Sequence, residues 1–167
     1  RSISGEEKTA RQVFEEVSED ALFYGEDGGV TVTGGEPLAH GEFTRELLQL
    51  SKEAGFSTAI ETCGFVSWET MRVALEYVDC VLYDIKQMSS DLHEKYTGVP
   101  NEQILSNLVK ISNETNCTIF IRCPVIPPCN SSPEEMTAIA RFLQENHIRV
   151  HEIDLLPYHR LGEGKRD

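Results

Sequence analysis

Apolar runs of strand length alternate with stretches of helical period along almost the whole chain. Val30-Thr-Val-Thr33, Thr58-Ala-Ile-Glu61, Cys80-Val-Leu-Tyr-Asp84, Thr118-Ile-Phe-Ile-Arg-Cys123 and Val150-His-Glu-Ile-Asp-Leu155 read as five strands. A first helix is expected after the capping box Ser4-x-x-Glu7, with Ala10, Val13, Phe14, Val17, Ala21 and Leu22 inward. A second carries Phe43, Leu47, Leu50 and Ala54 and stops at Gly55. A third runs from Trp68 through Met71 and Leu75 behind a Ser67 cap. Ile104, Leu105, Leu108 and Val109 mark a fourth that begins near Asn101. Ser132-Pro-Glu-Glu135 opens a fifth, with Met136, Ile139, Ala140 and Leu143 inward. Such alternation predicts an α/β fold, a parallel sheet with both faces covered, wound as a barrel or as an open doubly wound sheet.

The 167 residues suffice for one domain with a core, and no linker-like segment divides 1–167. The first helix has no strand before it, so the chain is expected to begin partway through that domain, leaving Val30–Thr33 as a sheet edge. Fifteen basic against 28 acidic residues give a net charge of −13, which repels phosphate backbones and argues against nucleic acid as a partner. No stretch approaches a membrane span and no signal peptide is visible, so a cytoplasmic protein is expected. The cysteines at 63, 80, 117, 123 and 129 are odd in number and widely spaced, and read as buried thiols rather than as a disulfide framework.

Ligands of parallel α/β folds sit at the carboxyl ends of the strands, and here all five ends carry polar or charged groups. The first strand runs into Thr33-Gly34-Gly35-Glu36-Pro37, where two glycines allow a sharp turn and close backbone approach, and where Glu36 could receive an ammonium. The second ends Glu61-Thr62-Cys63-Gly64 and the third Asp84-Ile85-Lys86, whose two charges point the same way under a period of two. Arg122 lies in the fourth, and the fifth runs into Leu156-Pro157-Tyr158-His159. Each alone could be a solvated rim residue. Together they predict one mouth suited to a zwitterion.

These motifs carry a resemblance. Thr33-Gly-Gly-Glu-Pro-Leu38 resembles the S-adenosylmethionine (SAM) turn of the radical SAM superfamily. Glu61-Thr-Cys-Gly64, Asp84-Ile-Lys86 and Leu155-Leu-Pro-Tyr-His159, in that order and spacing, resemble the activating enzymes of glycyl-radical enzymes, the group of pyruvate formate-lyase activating enzyme. Tyr96-Thr-Gly-Val99 followed by Asn101 fits the same group. The resemblance implies a partial (β/α) barrel of the radical SAM type with parallel strands and outer helices. It implies reductive cleavage of SAM to a 5′-deoxyadenosyl radical that takes hydrogen from a glycine of a partner such as pyruvate formate-lyase. Flavodoxin or ferredoxin would supply the electron.

By the same resemblance Gly34, Gly35, Glu36 and Pro37 form the turn that holds the SAM amino group, chiefly through backbone. Lys86 pairs with its carboxylate, His159 contacts it nearby, and Arg122 occupies a cofactor-side strand position. Glu61, Thr62 and Asp84 flank a monovalent cation. The family's 4Fe–4S cluster is held by Cys-x-x-x-Cys-x-x-Cys after the first barrel strand, whereas the cysteines here stand 17, 37, 6 and 6 positions apart. The first strand and the cluster loop are therefore expected to lie outside this chain, and the cluster to belong to the full-length protein only. Other readings are an activator of glycerol dehydratase or of a glycyl-radical decarboxylase, another radical SAM enzyme, and a non-catalytic SAM-binding barrel.

Overall fold

The computed structural model describes residues 6–25 and 28–158. Its sheet has five parallel strands: β1 (Gly29–Val32), β2 (Ser57–Thr62), β3 (Cys80–Asp84), β4 (Thr118–Val125) and β5 (Val150–Pro157). The strands lie side by side in sequence order. A doubly wound sheet needs a reversal of that order, so this alternative is excluded. Right-handed crossovers that always step the same way put the connecting helices on one face.

Burial follows that geometry. Val30, Ile60, Val81, Tyr83, Ile119 and Ile121 are buried on the helix side. The alternating Thr31, Ala59, Glu61, Leu82, Asp84, Phe120 and Arg122 are exposed or half-buried. One face is helix-covered among the described residues, in place of the two expected. A section of barrel wall has this form, with helices outside and an inner face that only an opposite wall can cover. β1 and β5 are the two edges of the sheet, as expected for β1.

The helices are α1 (Ala10–Glu19), α2 (Gly41–Glu53), α3 (Trp68–Leu75), α4 (Ser90–Thr97), α5 (Glu102–Glu114) and α6 (Pro133–Glu145). Leu48 of α2, Met71 and Ala74 of α3, Leu108 and Ile111 of α5, and Ile139 and Leu143 of α6 join the core with the sheet. Ser67 and Ser132 cap α3 and α6 as predicted.

Several local expectations change. The capping box of α1 is Thr9-x-x-Gln12, with both reciprocal bonds made, so the helix starts later than expected; Ser4 lies outside the described residues. Leu22 is 95% exposed because α1 ends at Glu19 and Ala21–Phe23 forms a separate 3₁₀ turn. In α2 the buried stripe is Thr44, Leu47, Leu48 and Ser51, with Ala54 exposed. Two hydroxyls fit there because Thr44 donates to the Pro37 carbonyl and Ser51 to that of Leu47. Ala140 of α6 is exposed. Helix α4 has no counterpart in the hydrophobic pattern, because its one buried residue is His93, which bonds the Val99 carbonyl. β4 and β5 also extend through Pro124 and to Pro157, beyond the expected apolar runs.

Candidate active site at the carboxyl ends of the strands

The turn after β1 is shaped by glycine and held by a carboxylate. Gly34 has φ +139°, a conformation L side chains rarely adopt, and the space in front of both Gly34 and Gly35 is open. A Cβ at either position would meet nothing of this chain within 4 Å. The Glu36 carboxylate is not turned to that space. It accepts the Leu38 N–H (3.1 Å), the Thr62 hydroxyl (2.7 Å), the Cys63 N–H (3.0 Å) and the Cys63 thiol (3.2 Å). These charge-assisted bonds tie the turn to the end of β2. The Glu36 side chain is thus a strut between the turn and β2, its oxygens engaged by donors of this chain. Pro37 is buried at the start of the following 3₁₀ turn.

Across the inner face stands a row of charge. Arg122 on β4 reaches over β3 to Glu61 on β2, Nη1 to Oε1 2.6 Å, and Thr33 donates to the other Glu61 oxygen at 3.1 Å. Asp84 and Lys86 lie on one side of the chain as the period of two predicts, with Nζ and Oδ2 3.7 Å apart. The structure therefore brings Glu61, Asp84, Lys86 and Arg122 together. It separates Thr62, whose hydroxyl faces Glu36 on the helix side of β2. His159 lies outside the described residues.

A cleft of about 250 Å³ opens beside Lys86, between Tyr96 and Thr97 of α4, Pro124 of β4, and Ile126 and Cys129 after that strand. A larger cavity of about 600 Å³ lies at the opposite, amino ends of β3 and β4, around Asp79 and Thr118, and none of the predicted site residues lines it. Ligand chemistry belongs to the carboxyl ends in this architecture, so size does not decide here.

The residues present suit a zwitterion, with bare backbone polar groups for an ammonium and Lys86 for a carboxylate. They do not suit an iron–sulfur cluster, which needs three thiolates at one place. Among the described residues no three His, Cys, Asp or Glu side chains gather as a metal site. Burial raises the Cys63, Cys117 and Cys123 thiols, Cys123 to about 11, which disfavours thiolates.

Comparison with known proteins bears on this arrangement. Residues 1–143 match the Radical SAM superfamily. The chain belongs to the radical SAM superfamily. It is 42% identical over 163 residues to an isethionate sulfite-lyase activating enzyme of Oleidesulfovibrio alaskensis, covering 96% of this chain and 52% of that protein. It is 40% identical to a choline trimethylamine-lyase activating enzyme of the same organism, covering 98% and 54%. A crystal structure of a domain of pyruvate-formate lyase-activating enzyme from Bacteroides vulgatus superposes with TM-score 0.72 at 34% identity, covering 78% of this chain and 81% of that one. The chain spans about half the length of the curated relatives it matches.

Several residues that shape this radical SAM mouth escaped the sequence reading. Tyr83 is fully buried and donates to the Ile104 carbonyl, and Asn107 donates to the carbonyls of Gly64 and Val66. Asn107 sits at a core-facing position between Ile104, Leu108 and Ile111, and an amide in such a stripe is the signal that was available. No helix among the described residues is long and apolar enough to cross a membrane.

Asp84 is held at a cost. Burial raises its pKa, with Glu61 adding to the rise, and Lys86 and Arg122 offset only part of it. A carboxyl whose folded pKa is raised binds its proton more tightly when folded, so this stability is present at low pH and lost as pH rises through the folded pKa. The penalty is thus larger at neutral than at acid pH. Asp84→Asn is therefore expected to raise the melting temperature at pH 7 and to leave it nearly unchanged below the unfolded carboxyl pKa. Thermal unfolding at the two pH values checks this.

Proposed function

We propose that 1–167 forms, as a single unit, the SAM-holding wall of a glycyl-radical enzyme activating enzyme. One observation supports the reading: the turn after β1, with open space before Gly34 and Gly35, and the Lys86 ammonium after β3 both stand at the carboxyl ends of one parallel sheet. The chemistry that SAM supplies when bound is reductive cleavage at its sulfonium, giving a radical able to take hydrogen from a glycine. The residues of this chain bind and orient. Gly34, Gly35 and Glu36 present backbone to the amino group, with Pro37 stiffening the exit. Lys86 would pair with the carboxylate, and His159 would contact the same ligand nearby. Arg122 holds Glu61 in place. A monovalent cation would rest against Glu61 and Asp84, with Thr62 bracing Glu36 instead.

The partner would be a glycyl-radical enzyme of the lyase, dehydratase or decarboxylase kind, which identities of 37–42% to activators of such enzymes support. Pyruvate formate-lyase is the second candidate, supported by the Bacteroides vulgatus likeness. A 4Fe–4S cluster would be held by the full-length protein, and flavodoxin or ferredoxin in the cytoplasm would reduce it. Full-length protein, reconstituted without oxygen and supplied with SAM and reductant, should switch on one of these partners. Failure with every partner, alongside intact SAM cleavage, would count against an activating role.

A further inference from the structure

After its last ladder bond, from the Ile85 N–H to the Arg122 carbonyl, the chain leaves the sheet before it reaches Lys86. What fixes the next residues is a set of buried and half-buried side chains. Asn130, 7% exposed, donates both amide hydrogens, to the carbonyls of Lys86 and Pro124 at 2.6 Å each, and accepts the Ile126 N–H at 2.7 Å. Asn101 donates to the Gln87 and Met88 carbonyls at 2.9 Å each. Glu135 accepts the Met88 N–H at 2.5 Å, so its carboxylate is engaged by the loop. A loop with no ladder of its own is thus held by side-chain hydrogen bonds, and Asn130 alone in this set bonds Lys86 itself.

We propose that Asn130 is a positioning residue for Lys86. By tying the Lys86 carbonyl to the exit of β4 it sets where the ammonium stands, and affinity for the SAM carboxylate depends on Asn130 through Lys86. This rests on the reading of Lys86 given above. A buried amide that merely stabilises the fold would affect SAM binding whether or not Lys86 carries its charge, and the two roles separate in a double-mutant cycle.

The cycle uses cluster-loaded, full-length protein and calorimetric titration with SAM. Asn130→Ser is expected to weaken binding about five- to tenfold in the parent. In a Lys86→Met background it should weaken binding less than about twofold. Decarboxylated SAM, which has no carboxylate for Lys86 to meet, should bind the Asn130→Ser protein as tightly as the parent. If Asn130→Ser does not fold, Asn130→Thr, which keeps one hydroxyl donor, takes its place. Equal losses in both backgrounds, or an equal loss with decarboxylated SAM, would overturn the proposal while leaving Lys86 in its role. An unchanged affinity in Lys86→Met alone would overturn the reading of Lys86, and this proposal with it.

Discussion

Lys86→Met in the cluster-loaded, full-length protein is expected to weaken SAM binding roughly 10- to 100-fold and to leave the melting temperature of the SAM-free protein nearly unchanged. Methionine keeps most of the stem and removes the charge. The competing account makes Lys86 the structural partner of Asp84. At 3.7 Å that pair is too long for a strong hydrogen bond, and its lysine end is 39% exposed, although Asp84 itself is only 18% exposed. Such pairs contribute about 0–1 kcal/mol. A charge-assisted bond to a ligand carboxylate contributes about 1.5–3 kcal/mol, and each ~1.4 kcal/mol is a factor of about ten. Calorimetry on mutant and parent decides. Unchanged affinity with a large loss of stability would make Lys86 structural.

Gly64→Ala should do the opposite, with its effect falling on the fold. Gly64 has φ +75°, and a Cβ there would stand 1.8 Å from the Tyr83 hydroxyl oxygen and 2.4 Å from the ring carbon that bears it. Tyr83 has nowhere to go, since it is fully buried and its hydroxyl donates to the Ile104 carbonyl at 2.7 Å. The left-handed backbone costs alanine about 1–2 kcal/mol and overpacking about 1–3 kcal/mol. A loss of about 2–5 kcal/mol is therefore expected in denaturant unfolding. Tyr83→Phe should rescue it only in part, because the ring carbon remains in the way. Gly35→Ala is the contrast: nothing of the protein lies within 4 Å of that Cβ, so stability should hold while SAM binding falls. A stable Gly64→Ala protein would show that the close approach to Tyr83 is not as drawn.

The strands were legible because burial on the helix side writes apolar residues at every second position, and β3 begins and ends at Cys80 and Asp84 as read. The inner face was legible only at its charges, so the sequence did not distinguish a wall covered on one side from a sheet covered on both. Helix α4 was invisible for a physical reason: its buried contact is made by a histidine. The Asp84-Ile-Lys86 motif announced its geometry through the period of two. The role of the Glu36 side chain did not show, because whether a carboxylate meets a ligand or the N–H of Cys63 depends on where β2 ends beside it. Asn130 was silent for a similar reason. In a loop rich in proline and serine it reads as a turn former, and its bonds to Lys86 and Pro124 join segments 44 and 6 residues away. Tyr96-Thr-Gly-Val99 is explained by the fold, with Gly98 at φ +87° ending α4 and Thr97 bonding back to His93.

The central claim is that this mouth holds SAM so that hydrogen is taken from a glycine of a partner enzyme. The most direct measurement supplies full-length, cluster-loaded protein with SAM, reductant and a partner enzyme whose glycines carry deuterium at the α-carbon, and then weighs the 5′-deoxyadenosine formed. The account predicts deuterium in that product, with a glycyl-radical signal in the partner by electron paramagnetic resonance. Unlabelled 5′-deoxyadenosine with no radical in any glycyl-radical enzyme tried would contradict it.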